Sequence, residues 1–403
     1  MSGLRALLAI LPTVSMLHCA AACDGGTQRG DQLPAEPRVG LEAGVQPDAG
    51  AVADATRGDR SPDARPVRRD AGPVADAAGK PLPGGSLSAY VINDGYKTGE
   101  VYLRLAAPVA DVASSARLVG SSVAPQLEAE NGARYRLRFS GALIKPGDQL
   151  SYAGARLPIG FIAETTFTRA DRFSGANEQP GEKPFTEFWF REKHSTSLNN
   201  SLISDGKLIQ EMPKNGGATI RSEHRFTGSS EWPTPLVNFD QMPEGAHYLF
   251  AFNTRFTAYN PAEPNKFLIW QVHSTSGSPP LALEVHQGGE FHFTVHFPKR
   301  ASTVVGKLAV GKTYHWLLSV RQHQTDGLTE LWLRVDGGAW QRVIDRRGQP
   351  SFRYDGKDRH YLKIGWYAWD GLNYTHRFET DYWLAADGNH GTVEQLQQRI
   401  DDR

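Results

Sequence analysis

Residues 267–289 read FLIWQVHSTSGSPPLALEVHQGG. Two short apolar runs, 267–273 and 281–286, are separated by Ser, Gly and Pro and followed by a Gly-Gly turn, the punctuation of antiparallel strands. Alternate residues of a strand point to opposite faces. Trp270 and Val272 therefore share a buried face, and Gln271 and His273 share the other. A polar pair on one face is either ordinary solvent exposure or the lining of a groove.

The same reading extends outward. Runs such as HYLFAFNTRF, EFHFTVHF, TYHWLLSVRQ, LTELWLRVDG and HYLKIGWYAW recur between turns such as QGGE, QTDGL and VDGGAW, which are hairpin signals. One segment reads as a helix, the terminal GTVEQLQQRIDD. Many antiparallel strands over residues 165–403 predict an all-β fold, a large jelly-roll sandwich of the concanavalin-like kind. Residues 85–164 carry shorter alternating runs, SAYVINDG, GEVYLRLA and ARYRLRFSG. They predict a small β-sandwich accessory domain, either a spacer or a glycan-binding module.

The N-terminal part is different in kind. Arg5, the apolar run Leu7–Leu17 and the small residues Ala20–Ala22 before Cys23 have the form of an export signal, too short for a spanning helix. AAAC resembles a bacterial lipoprotein cleavage box, which makes residues 1–23 a signal peptide and Cys23 the lipidation site; cleavage without lipidation is the alternative. Residues 24–84 are mainly Ala, Asp, Pro, Gly and Arg. Such a segment lacks the apolar surface to offset its ordering entropy and reads as a disordered tether. The expected address is the cell surface, the outer membrane or the medium, with membrane contact only through the lipid.

The 403-residue chain has a formal net charge of zero, which gives no electrostatic reason to expect nucleic acid as a partner. All nine Trp lie between Trp189 and Trp383. Aromatic rings stack on sugars, so this richness points to carbohydrate. No G-x-S-x-G, H-E-x-x-H or P-loop occurs, and those hydrolase and nucleotide chemistries are set aside.

Three strands depart from a simple polar-out pattern. In RSEHR, parity puts Arg221, Glu223 and Arg225 on one face; in QVH, Gln271 and His273; in YLKIGWY, Tyr361, Lys363, Gly365 and Tyr367. EFHFTVHF adds His292, Thr294 and His296. Singly, each set reads as solvated surface. Together, guanidinium, amide, imidazole and phenol groups on one sheet suit elimination from a polyuronate. The C5 proton of a uronate is α to a carboxylate and barely acidic until cationic or amide donors neutralise that charge. His or Tyr then takes the proton, and a Tyr gives one to the leaving glycosidic oxygen.

RSEHR, QVH and YLKIGWY resemble the three signature strands of jelly-roll alginate lyases, and QVHSTSGSPPLALEVHQGGEFHF is similar to the heparin lyase I-like and glucuronan lyase-like branch. The resemblance implies a polysaccharide lyase in which Arg221 and Gln271 neutralise the carboxylate and His273 is base or shares that work. It implies Tyr367 as general acid and, for one epimer, also base, with Lys363 and Arg225 on neighbouring carboxylates and Glu223 orienting the arginines. Tyr361, His292 and Trp369, the last a sugar-platform candidate, complete the expected binding surface. His224, Ile364, Trp366 and the following YAWDG depart from the alginate lyase pattern. The implied partner is an anionic polysaccharide and the implied state a monomer. No catalytic cofactor or metal is expected, with a structural calcium left open. A non-catalytic glycan-binding lipoprotein on the same fold is the alternative. A glycoside hydrolase has only Glu379 and Asp381 of FETDYW as a carboxylate pair.

Overall fold

The Gln-His stretch forms the strand Phe267–Ser274, and it lies in the middle of a sheet. The computed structural model describes residues 86–167, 200–217, 219–226, 232–233, 242–274, 278–352 and 360–403, with the backbone of three short strands, Arg172–Ser174, Pro184–Thr186 and Trp189–Arg191. The export signal, Cys23 and the 24–84 tether lie outside the described residues.

The fold is an all-β sandwich of two sheets. The groove-bearing sheet has eight strands among the described residues. Its order is Ala301–Lys307, Glu290–Val295, Leu281–Val285, Phe267–Ser274, His360–Ala368, Ile220–Phe226, then Trp189–Arg191 and Pro184–Thr186. The larger sheet is built around His247–Ala258, which pairs with Thr313–Arg321 along one side and with Tyr382–Asp387 and His376–Thr380 along the other. The hairpins predicted at QGGE, QTDGL and VDGGAW are present as antiparallel pairs.

Parity sends one side of every groove strand into the core. Trp270, Val272, Leu362, Ile364 and Trp366 are each at most 2% exposed. Aromatics of the same sheet meet those of the other: Phe226 lies 6.0 Å from Phe250, Phe267 6.3 Å from Phe256, and Phe291 5.0 Å from Trp316 between ring centroids. Burying one such side chain contributes roughly 1.5–3 kcal/mol. His224, whose presence in the first motif breaks the aliphatic pattern, is fully buried with its ring 5.2 Å from Trp383.

Residues 86–166 form seven strands that continue the larger sheet. Ala155–Thr166 pairs in parallel with Ser86–Ile92 and antiparallel with Tyr382–Asp387. All described residues fall in one compact unit, Arg68–Arg403. The helix Val393–Asp401 forms where the terminal segment predicts one, with a capping box between Thr392 and Gln395. Its Leu396 and Ile400 cover the outer face of the larger sheet against Tyr90, Ile162, Leu249 and Leu384.

Candidate active site

The polar faces of the three motif strands lie side by side. His360–Ala368 is central, with Ile220–Phe226 on one side and Phe267–Ser274 on the other. The register sets Arg221 opposite Tyr367, Glu223 opposite Gly365, and Arg225 opposite Lys363. On the other edge Gln271 faces Lys363, and His273 faces Tyr361.

Glu223 is the hub. Its carboxylate accepts from Gln271 Nε2, lies 3.5 Å from Lys363 Nζ and lies 4.0 Å from Arg221 Nη1. Glu223, Gln271 and Lys363 are 2%, 2% and 1% exposed, while Arg221 is partly open to solvent. A charge buried to this degree is tolerated only when paired, so the four groups fix one another. The result is a buried row of donors on one carboxylate, beneath a face on which Arg221, Arg225, His273, Tyr361 and Tyr367 stay partly exposed.

Gly365 makes room for that floor. Its φ is +136°, and a Cβ there would lie 2.2 Å from the Ser222 carbonyl oxygen and 2.8 Å from the Glu223 Cα. Only glycine fits this close approach. The pairing with Phe267–Ser274 also shifts register here: between Leu268 and Trp270 the central strand advances from Tyr367 to Ile364. The bulge leaves Leu268, rather than a polar residue, beside Tyr367.

The two ends of the central strand differ. At one end Tyr361 is surrounded by His273, at 4.9 Å between ring centroids, by Arg225 at 5.1 Å and by Lys363 at 5.3 Å from its ring. At the other end Tyr367 has Arg221 at 5.3 Å and Trp369 at 4.5 Å. Burial pushes the Tyr367 phenol above its usual pKa, against the lowering effect of Arg221, so it keeps its proton at neutral pH.

The expectation that Arg221, Gln271, His273 and Tyr367 surround a single point is therefore modified. All four lie on the same side of the sheet, Gln271 buried and the other three partly exposed, but His273 and Tyr367 stand six positions apart in register. In a straight strand that is up to about 20 Å between Cα atoms. The carboxylate-binding row lies between them. His292 lies farther out, on Glu290–Val295, two strands beyond the Gln-His strand. Its ring stacks on His286 at 3.8 Å and bonds to Glu290 and Ser302.

A second network joins His292 to the Tyr367 end. Lys266 Nζ is 2.8 Å from Glu284 and 5.4 Å from the Trp369 ring. Glu284 also accepts from His286 at 2.8 Å and Thr294 at 3.0 Å. Burial raises the Glu284 pKa, but the bonds from His286 and Lys266 outweigh it and hold the group at about 2. The sequence reading missed Lys266, Glu284 and His286. The parity of LALEVH would have put Glu284 and His286 on the polar face, but Lys266 sits ahead of its strand and carries no parity signal.

A family model described as "Polysaccharide lyase" matches residues 175–393, more than half of the chain. No curated protein matches the sequence. Among solved structures, the chain is similar to a glycosyl hydrolase family protein from Mycobacterium fortuitum, at 14% identity over 55% of this chain and 100% of that one, TM-score 0.35. A beta-1,3-glucanase from Mycobacterium marinum matches at 15% identity over 54% and 98%, TM-score 0.33. Alginate lyase A1-II′ matches at 13% identity over 50% and 84%, TM-score 0.31.

Proposed function

The chain belongs to the polysaccharide lyase family, and we propose that it cleaves a uronate-containing polysaccharide by β-elimination on the face just described. The observation that carries this reading is the convergence of Arg221, Gln271 and Lys363 on the buried Glu223. Arg221, partly open to solvent, meets the sugar carboxylate, while Gln271 and Lys363 hold Glu223 beneath it. Their positive field stabilises the charge that spreads from C5 into the carboxylate once the C5 proton leaves.

The acid and base act together at one end of the row. His273, beside Gln271 on its strand, takes the C5 proton. Tyr361, whose ring lies 4.9 Å from that of His273, donates to the glycosidic oxygen as the bond to C4 breaks. The products are a new chain end and an unsaturated uronate with a C4–C5 double bond. Arg225 binds a neighbouring unit at the His273 end, and Tyr367 and Trp369 support one at the other end. A second assignment puts the chemistry at that other end, with Tyr367 as the acid beside Arg221, 5.3 Å from its ring.

We further propose that the chain is exported and anchored through a lipid on Cys23, since residues 1–23 have the form of a lipoprotein signal. A Cys23→Ser change should then move the protein from the membrane fraction to the soluble one.

The reaction is tested by following ultraviolet absorbance of unsaturated uronates during incubation with glucuronan, alginate and heparin-like chains. The expected result is a rise on at least one substrate that is lost in His273→Ala. Binding to such chains with no rise on any of them would instead make the protein a non-catalytic glycan receptor.

A further inference from the structure

A cavity of about 280 Å³ lies outside the groove, lined by Tyr102, Asn131, Arg134, Arg136, Arg399 and Asp402 among others. Its residues come from the N-terminal strands and the C-terminal helix, and none from the three motif strands. Arginine outnumbers carboxylate around it. Asp402 is shared by Arg104 and Arg134, Glu128 by Arg136 and Arg138, and Glu164 by Arg399 and Arg403.

Three of these six guanidiniums, Arg134, Arg136 and Arg399, line the cavity, against one carboxylate, Asp402. Each guanidinium offers five N–H donors, and each carboxylate accepts about four bonds. Some donors have other partners: Arg134 donates to the Asp401 and Asp402 carbonyls, and Arg403 to the Asp381 carbonyl. Glu100 adds one further negative charge, near Arg138 at 3.9 Å. The balance still favours positive charge. The planar fork of arginine suits a carboxylate bound by two parallel bonds.

The remaining lining suits a sugar. Tyr102 stacks on Tyr90 with ring centroids 5.6 Å apart and planes 7° apart, so it is a fixed amphipathic wall. Asn131 supplies an amide for hydroxyl groups. The volume is just below the usual range of ligand sites, roughly 300–1,000 Å³, which is room for one sugar unit.

We propose that this cavity is a second binding site, separate from the groove, for a single carboxylate-bearing sugar unit at the end of an acidic saccharide. Asp402 stays paired with Arg104, Arg134 and the Tyr90 hydroxyl, and the ligand takes the outward donors of Arg136 and Arg134. Such a site would hold the enzyme on its polymer or its products without taking part in cleavage.

The test is calorimetry on the full chain carrying Arg221→Ala, which weakens the groove, titrated with a short oligoglucuronate, a neutral oligoglucan and inorganic phosphate. Oligoglucuronate should still bind, and adding Arg136→Gln should weaken it about tenfold or more. If Arg136→Gln lowers the melting temperature, Arg136→Lys serves instead, keeping the charge but losing the fork. Arg136→Gln alone should leave the cleavage rate of a short substrate unchanged. No oligoglucuronate binding in the Arg221→Ala background, or binding indifferent to Arg136, overturns the proposal. Equal binding of the neutral oligoglucan or of phosphate overturns the assignment to an acidic sugar. The readout is heat of binding, so failure of the elimination reading, seen as absent unsaturated product, is told apart from failure of this one.

Discussion

Lys363 Nζ lies 3.5 Å from the Glu223 carboxylate, with both side chains almost wholly buried. Each charge is tolerated because of the other. Glu223→Ala leaves Lys363 and Arg221 without their counter-charge, and truncating one partner of a buried pair costs about 3–5 kcal/mol. Glu223→Gln keeps the shape and a bond to Gln271, so it should cost less. Thermal unfolding of both variants checks the order; equal melting temperatures for wild type and Glu223→Ala would show that the hub does not hold the floor together.

Gly365 faces Glu223 across the strand pair. Gly365→Ala drives a methyl group into the Ser222 carbonyl at a φ that side chains rarely adopt. The expected cost is about 2 kcal/mol or more, with loss of cleavage larger than the loss of stability explains. Activity assayed well below the melting temperature separates the two effects.

The tyrosines divide the acid role. Tyr361→Phe removes the phenol beside His273 and should lower kcat at least about 100-fold, the usual scale of a general acid. Tyr367→Phe should act mainly on KM. The reverse pattern transfers the acid role to the tyrosine beside Arg221. Side-by-side kinetics on one substrate decides.

Several histidines are held neutral by burial. His315 is pushed down to about 4, by burial first and by Arg334 second, and His247 and His376 are also lowered, chiefly by burial. Unfolded histidine titrates near 6.5, so between about pH 6.5 and 4 the unfolded chain binds more protons than the folded one. The stabilisation is complete above that window and is lost as pH falls through it. Melting temperature should drop on acidification across this range, and His315→Gln, which can keep the bond to the Tyr382 hydroxyl, should flatten the slope.

Parity was enough to group the polar residues of the motif strands. RSEHR, QVH and YLKIGWY each proved to lie on a strand, with Ser222 and His224 of the first and Val272, Leu362, Ile364 and Trp366 of the others turned into the core, while Glu223, Gln271 and Lys363 on the polar side are buried as well. The terminal helix was legible because Thr392 and Gln395 stand three apart before an apolar stripe. Register was not legible, because it is set by partners distant in sequence and by bulges. That is why His273 meets Tyr361 and Leu268 meets Tyr367. The joining of Ala155–Thr166 to Tyr382–Asp387 is likewise a pairing between segments more than 200 residues apart, which no local pattern encodes.

The most direct test of the elimination mechanism is cleavage in water enriched in heavy oxygen, followed by mass analysis of the fragments. Elimination adds no water: the predicted products carry no label, and the new non-reducing ends are lighter than hydrolysis products by one water. Fragments that take up one labelled oxygen per cut would contradict the account and make the enzyme a hydrolase.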